Sequence, residues 1–180
     1  MEFIQNYIIC NLVQIMNSAI ILAGGKGERT KSKVPKQFIE VNKNKILLDY
    51  SINTFNRNSK INEIILVCEK DWISFISNRY KNIKIIPGGS SRKSSSNIGL
   101  KNCSKHCVNV LIHDAARPFV TDDIINECLD NLNLHEASVP ILDCSDSIIK
   151  KEGNKIEYLD RNSIKKIQTP QGFQYKKILN

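Results

Sequence analysis

The sequence predicts a three-layer α/β/α sandwich around a mostly parallel sheet, and three observations carry that prediction. Apolar, β-rich runs alternate with helix-compatible segments along the chain. The runs AIILA, IILVC and VNVLI are apolar at consecutive or near-consecutive positions. Loops rich in Gly, Asp or Arg stand directly after several of them. Consecutive apolar residues suit strands buried on both faces, and strand–helix alternation is how parallel strands are joined.

In chain order, the first fifteen residues, MEFIQNYIICNLVQI, contain no Lys or Arg, so they lack the basic start of a signal peptide and the Arg-rich character of a transit peptide. Residues 1–16 are therefore expected to be a non-native or disordered extension, with the domain proper over 17–180. Met16, directly before the first strand, suggests that translation begins there. Ser18–Ala23, holding AIILA, is the first expected strand, and Ile46–Asn56 the first helix-compatible segment. Glu63–Cys68, holding IILVC, comes next, followed by Asp71–Tyr80. Ile83–Ile86 leads into Arg92–Cys103, Val108–His113 into Thr121–Leu132, and Ala137–Leu142 closes the series. The polar stretch Ser145–Asp160, with Gly153 at its centre, predicts a β-hairpin arm protruding from the body. No internal repeat or low-complexity linker interrupts the pattern.

Composition bounds the function. The 180 residues, 41% hydrophobic and 24% charged, fit one globular domain rather than a disordered tail, a collagen-like chain or a coiled coil. Mean hydropathy is −0.27, and no apolar stretch nears the roughly 18 residues of a membrane span, so a soluble chain without a membrane partner is expected. The formal charge of +8, from 26 Lys+Arg against 18 Asp+Glu, favours an anionic partner. Only six of those cations are Arg, and Arg29, Arg92, Arg117 and Arg161 sit in short loop-like segments while the Lys residues are dispersed. Arg carries a donor fork suited to phosphate, so the pattern favours a phosphorylated small molecule over nucleic acid. Six cysteines without a CxxC pair read as reduced thiols. Cys103, His106 and Cys107 lack the second ligand pair of a zinc site.

In sheets of this kind ligands bind beyond the carboxyl ends of the strands, and three motifs fall there. The first strand runs into Ala23-Gly24-Gly25-Lys26-Gly27-Glu28-Arg29, followed by Val34-Pro35-Lys36-Gln37-Phe38. Glycines let a backbone approach phosphate closely, and Arg29 with Lys36 would bring charge to a triphosphate; the structural alternative is a strand-to-helix turn with solvated cations. The spacing is not the P-loop G-x-x-x-x-G-K-[ST], and Thr30 stands where a dinucleotide fingerprint wants glycine. Gly88-Gly89-Ser90-Ser91-Arg92-Lys93-Ser94-Ser95 opens a helix, where its hydroxyls cap the helix or hold a base or phosphate. His113-Asp114-Ala115-Ala116-Arg117-Pro118 joins an Asp to an Arg; Asp114 either caps the turn and pairs with Arg117, or binds a sugar hydroxyl or a magnesium-bound water.

Together with Leu159-Asp160-Arg161 and Gln168-Thr169-Pro170-Gln171-Gly172-Phe173, these segments resemble the 2-C-methyl-D-erythritol 4-phosphate cytidylyltransferase family, five blocks in family order from about Ser18 to Phe173. The resemblance implies a Rossmann-like sheet of nucleotide-diphospho-sugar transferase type. It also implies transfer of CMP from CTP to 2-C-methyl-D-erythritol 4-phosphate, releasing pyrophosphate, in the non-mevalonate isoprenoid pathway. On the matching positions, Arg29 and Lys36 stabilise the transition state and Arg161 joins them as a catalytic cation. Ala23, Gly24, Gly25, Gly27, Gly89 and Ser95, with Asp114 and Arg117, surround CTP. Asp114, Ser147, Arg161 and Thr169 face the acceptor phosphate, Ser147 standing where the family usually has Thr. The resemblance implies magnesium held through the triphosphate, a cytoplasmic homodimer joined by the 145–160 arm, and Arg161 serving the partner's site.

Two departures stand out. Thr30 replaces a frequent Met, and the family's later acidic segment and Asn-x-Lys motif have no match before Asn180. A C-terminally truncated member with little activity is therefore expected. The related ribitol-5-phosphate cytidylyltransferases are the nearest alternative, favoured slightly by Leu22-Ala23-Gly24-Gly25 but opposed by Ala116, the Asp160-Arg161 pair and Gly172. A fragment that binds CTP without turnover is the non-enzymatic alternative. A nucleic-acid binder is weaker still, since no basic stripe or aromatic-stacking motif supports it.

Overall fold

The computed structural model describes residues 16–25 and 34–179. In chain order they form β1 (Met16–Ala23), β2 (Glu40–Asn42), β3 (Lys45–Ile46), α1 (Leu47–Arg57), β4 (Glu63–Cys68), α2 (Ile73–Arg79), β5 (Lys84–Pro87) and α3 (Arg92–Lys101). They continue with β6 (Cys107–Asp114), α4 (Asp122–Asn131), β7 (Ala137–Ser138), β8 (Ile141–Asp143), β9 (Ile148–Glu152), β10 (Lys155–Leu159), β11 (Lys165–Ile167), β12 (Gln171–Gln174) and α5 (Tyr175–Ile178). The central sheet has the order β5-β4-β1-β6-β12-β7. β5, β4, β1 and β6 run parallel, and β12 enters antiparallel between β6 and β7.

Alternation of side chains across the pleat divides the core in two. Ala19, Ile21 and Ala23 of β1, with Ile64, Leu66 and Cys68 of β4 and Leu111 of β6, pack against Leu48, Ile52 and Phe55 of α1, Ile76 of α2, and Ile125, Cys128 and Leu129 of α4. Ile20, Ile65, Val67, Val110 and Ile112 face the other way, against Leu100 of α3 and Ile178 of α5. Helices thus cover both faces, which is why these strands are apolar at consecutive positions. α4 starts where the Thr121 hydroxyl accepts from the Ile124 N–H at 3.3 Å, with Asp122 and Asp123 in the first turn, where negative charge suits the helix dipole.

The expected strands and helices stand within a residue or two of their predicted limits, with three differences. Ala137–Leu142 is two strands, not one: β7 joins the central sheet, but Pro140, which has no N–H to give a ladder, separates it from β8, which pairs with β11 instead. The segment 71–80 opens as a 3-10 turn over Lys70–Trp72 before α2 begins. Met16, placed in the extension by the sequence, is the first residue of β1 and pairs with Cys107; residues 1–15 lie outside the described part. The arm is the antiparallel ribbon β9–β10, and Gly153 at its tip takes φ 59°, where glycine is at ease.

Candidate active site

β1 has β4 on one side and β6 on the other, so chain order reverses beside it, the position where open α/β sheets hold ligands. Beyond the end of β1 come Gly24 and Gly25. The Gln37 side chain, 3% exposed, donates to the Ala23 carbonyl at 2.5 Å and the Gly25 carbonyl at 3.0 Å, fastening the Pro35–Phe38 turn to the strand end. From the other side Phe38 stacks on Trp72 with ring centroids 4.5 Å apart. Lys36 directly precedes these two anchors and is exposed. Gly27 and Arg29 lie outside the described residues.

A cleft of about 320 Å³ lies alongside, lined by Gly24, Glu69, Lys70, Asp71, Gly88 and Gly89. Buried Ser95 fastens one wall of it from behind: its hydroxyl accepts from the Gly89 N–H at 3.1 Å. A Cβ on Gly89 would lie 2.0 Å from the Ser94 oxygen and one on Gly88 3.1 Å from the Ser95 oxygen, so bare backbone is needed for the loop to lie against α3. Ser91 caps that helix, accepting from the Ser94 N–H at 3.1 Å. Burial beside Glu69 pushes the Cys68 thiol up to about 11, which leaves it unreactive at the foot of the cleft. The cleft lining sets one cation, Lys70, beside two carboxylates, Glu69 and Asp71, and the N–H groups of Gly88 and Gly89 are engaged by the Cys68 carbonyl and the Ser95 hydroxyl, so its three glycines serve mainly to let a ligand approach bare backbone.

Across β1, the end of β6 builds the second half. The Asp114 carboxylate meets Arg92 of α3 at 3.0 Å and Arg117 at 3.5 Å. Arg117 also donates to the Gln168 side chain, and Arg92 to that of Gln171 at 3.4 Å. The Thr169 hydroxyl accepts the Asp114 N–H at 3.3 Å and bonds the His113 Nδ1 at 3.1 Å. β12 is what makes this possible: its antiparallel pairing with β6, Gln171 opposite Ile112, brings the Gln168–Gln171 segment to the Asp114 turn.

The fold therefore gathers Ala23, Gly24, Gly25, Gly89, Ser95, Asp114, Arg117 and Thr169 along one sheet edge. Arg161 and Ser147 stand elsewhere: Arg161 donates to the Ser145 carbonyl at 3.1 Å at the foot of the arm, where Ser147 is exposed. Three residues of the edge were not singled out by the sequence reading, namely Gln37, His113 and Gln171, and Arg92 was named only among the loop arginines. All lie inside the quoted motifs, and closeness in sequence to the chosen Lys36, Asp114, Thr169 and Ser95 was the available signal.

Comparison with known proteins gives a single answer. The family model for 2-C-methyl-D-erythritol 4-phosphate cytidylyltransferase (IspD) matches residues 17–180. The 2-C-methyl-D-erythritol 4-phosphate cytidylyltransferase of Clostridium botulinum (strain 657 / Type Ba4) is 44% identical over 172 residues, covering 91% of this chain and 75% of the relative. The bifunctional enzyme IspD/IspF of Pelagibacter ubique (strain HTCC1062) is 40% identical over 166 residues, 91% of this chain and 44% of that protein. Among solved structures, 4-diphosphocytidyl-2C-methyl-D-erythritol synthase from Anaerococcus prevotii superposes with a TM-score of 0.77 at 27% identity, over 91% of this chain and 72% of that one.

Proposed function

The chain belongs to the 2-C-methyl-D-erythritol 4-phosphate cytidylyltransferase family, and from that premise we propose that it transfers CMP from CTP to 2-C-methyl-D-erythritol 4-phosphate at the carboxyl edge of its sheet. A phosphate oxygen of the acceptor attacks the α-phosphorus, the bond to the bridging oxygen breaks, and pyrophosphate leaves with the electron pair. The product is 4-diphosphocytidyl-2-C-methyl-D-erythritol. No covalent enzyme intermediate is involved, so the protein's work is positioning and neutralising charge.

In this reading Ala23, Gly24, Gly25, Gly27, Gly89 and Ser95 hold the nucleotide, and Arg29 and Lys36 stabilise the transition state. Asp114 and Arg117 stand where nucleotide and acceptor meet, and Thr169 faces the acceptor. Arg161 and Ser147 complete the acceptor site of the other subunit of a homodimer, reached through the arm, which fits their position at the foot of the arm, apart from their own chain's cluster. The observation that carries the reading is the meeting of the glycine–serine cradle and the Asp114–Arg117–Thr169 cluster on one sheet edge.

Magnesium fits this donor set only through the nucleotide. Among the described residues no group of three His, Cys, Asp or Glu side chains could hold a metal, and the Asp114 oxygens are engaged by Arg92 and Arg117. A hard cation that keeps most of its water suits triphosphate oxygens, where it would offset their charge. We place the reaction in the cytoplasm, a reading supported by free thiols at Cys68, Cys103, Cys107, Cys128 and Cys144.

The test is CTP- and magnesium-dependent pyrophosphate release from the purified chain, with methylerythritol 4-phosphate and ribitol 5-phosphate offered separately. Turnover with the first alone is expected. Turnover with ribitol 5-phosphate alone would reassign the acceptor, and CTP binding without any turnover would leave a nucleotide-binding protein.

A further inference from the structure

His113 is one of the bulkiest groups completely shut from solvent, 0% exposed, with the Phe55 ring 5.2 Å away. The reaction just described gives it no task. Its two ring nitrogens nonetheless meet two different segments of the acceptor site. Nε2 lies 3.0 Å from the main-chain carbonyl of Arg117, and Nδ1 lies 3.1 Å from the Thr169 hydroxyl.

A carbonyl oxygen has no proton to give, so the nitrogen facing it is the one that carries N–H. In a neutral ring Nδ1 is then bare and accepts from Thr169. That leaves the Thr169 oxygen to accept the Asp114 N–H at 3.3 Å. Ser51 of α1 adds a second donor to the Arg117 carbonyl at 3.3 Å, and its oxygen lies 3.3 Å from Nε2. Each donor in the chain has one acceptor, and the links through Thr169 and Ser51 join segments distant in sequence. Burial pushes the ring's pKa down to about 4 against the opposing pull of the Arg117 carbonyl and Asp114, which agrees with a neutral ring.

We propose that His113 is a positioning residue for the acceptor site: as the neutral Nε2–H tautomer it orients the Thr169 hydroxyl through Nδ1 and holds the Arg117 turn through Nε2–H. The proposal rests on the reading of Thr169 as an acceptor-binding residue and of Arg117 as one that stands where nucleotide and acceptor meet. The Nδ1 bond goes to Thr169, which faces the acceptor alone, so loss of that bond falls on the acceptor and not on CTP, whose cradle lies across β1.

Two near-isosteric variants separate the ring's two bonds. His113→Asn keeps an acceptor near the place of Nδ1, and His113→Gln keeps a donor near the place of Nε2. Calorimetric titration of the whole chain with methylerythritol 4-phosphate, and separately with CTP, reads the outcome. His113→Gln is expected to weaken acceptor binding about tenfold, the cost of one broken hydrogen bond, while CTP binding stays unchanged; His113→Asn restores most of the loss. Equal losses for both variants, or parallel losses for both ligands, would overturn the proposal, because a purely structural role gives that pattern. Thr169→Val separates the two readings. If it does not weaken acceptor binding, the acceptor-site reading fails and the proposal with it; if it does and His113→Gln does not, the proposal alone fails. Should either His113 variant unfold, long-range ¹H–¹⁵N spectra of the histidine-labelled unmodified chain decide directly: the Nε2–H tautomer is expected, and Nδ1–H or a doubly protonated ring overturns the proposal.

Discussion

Lys36 shows how an exposed side chain acquires a fixed place. Its neighbour Gln37 is bonded to two carbonyls at and just past the end of β1, and Phe38 is stacked on Trp72, so the Lys36 backbone is held even though its ammonium is free to meet a phosphate. If the ammonium acts chiefly on charge that develops as pyrophosphate departs, Lys36→Ala should cut turnover about 100-fold while CTP affinity changes less than about threefold. Single-turnover kinetics beside a CTP titration would check this, and equal losses would move Lys36 to ground-state binding. His113 makes a second prediction, about stability. Above pH 6.5 its ring is neutral in both folded and unfolded chains. Between 6.5 and about 4 only the unfolded chain takes up the proton, so stability falls as pH drops through that window and levels off below it. The full displacement corresponds to roughly 3 kcal/mol. Urea midpoints measured from pH 7 down to pH 4.5 should therefore fall less steeply in His113→Asn than in the unmodified chain.

At the scale of elements, α3 has to lie very close to β1. A Cβ on Gly99 would come within 2.6 Å of the Ile20 Cγ2, and Ile20 is wholly buried between strands and helix. Gly99→Ala should therefore destabilise the chain by about 1–3 kcal/mol from overpacking, although alanine is the better helix former. Thermal melts would show it, and a rise in melting temperature would mean that the helix can move aside. Because Ser91 and Ser95 ride on α3, CTP affinity should fall in the same variant. The parallel strands and their helices were legible because burial on both faces leaves long apolar runs in the sequence. Gly153 likewise marked the arm. β12 was not legible as a strand: Gln171-Gly172-Phe173-Gln174 is short and mixed, and it becomes a strand only because β6 offers it a free edge and Gly172 admits the Leu111 side chain. The site was legible in the same uneven way. Glycine loops and paired Asp and Arg announce themselves locally, whereas the bonds of His113 to Thr169 and of Arg92 to Asp114 join positions far apart in the chain: the first exists only once β6 and β12 pair, the second only once α3 packs on the sheet.

At the scale of the whole molecule, the arm is a two-stranded ribbon, an arrangement barely stable alone in water. One of its faces carries Ile149, paired directly with Tyr158, and Ile156 opposite Lys151; these three apolar residues are 48%, 81% and 56% exposed. A second copy of the chain is the occupant the proposed function assigns to it, since Arg161 bonds to Ser145 and not to its own chain's cluster. Sedimentation of the purified chain should accordingly show a dimer, and Ile156→Glu with Tyr158→Glu should give a folded monomer. The sharper test is complementation. Asp114→Ala and Arg161→Ala chains should each be nearly inactive alone, one lacking its own carboxylate and the other failing to serve its neighbour. When equal amounts are mixed and allowed to exchange subunits, half of the dimers pair one of each and hold one intact site out of two, so about a quarter of the unmodified activity should return. No recovery despite demonstrated exchange would mean that Arg161 serves its own chain or no site at all, and the arm would then be a dimer contact without a catalytic share.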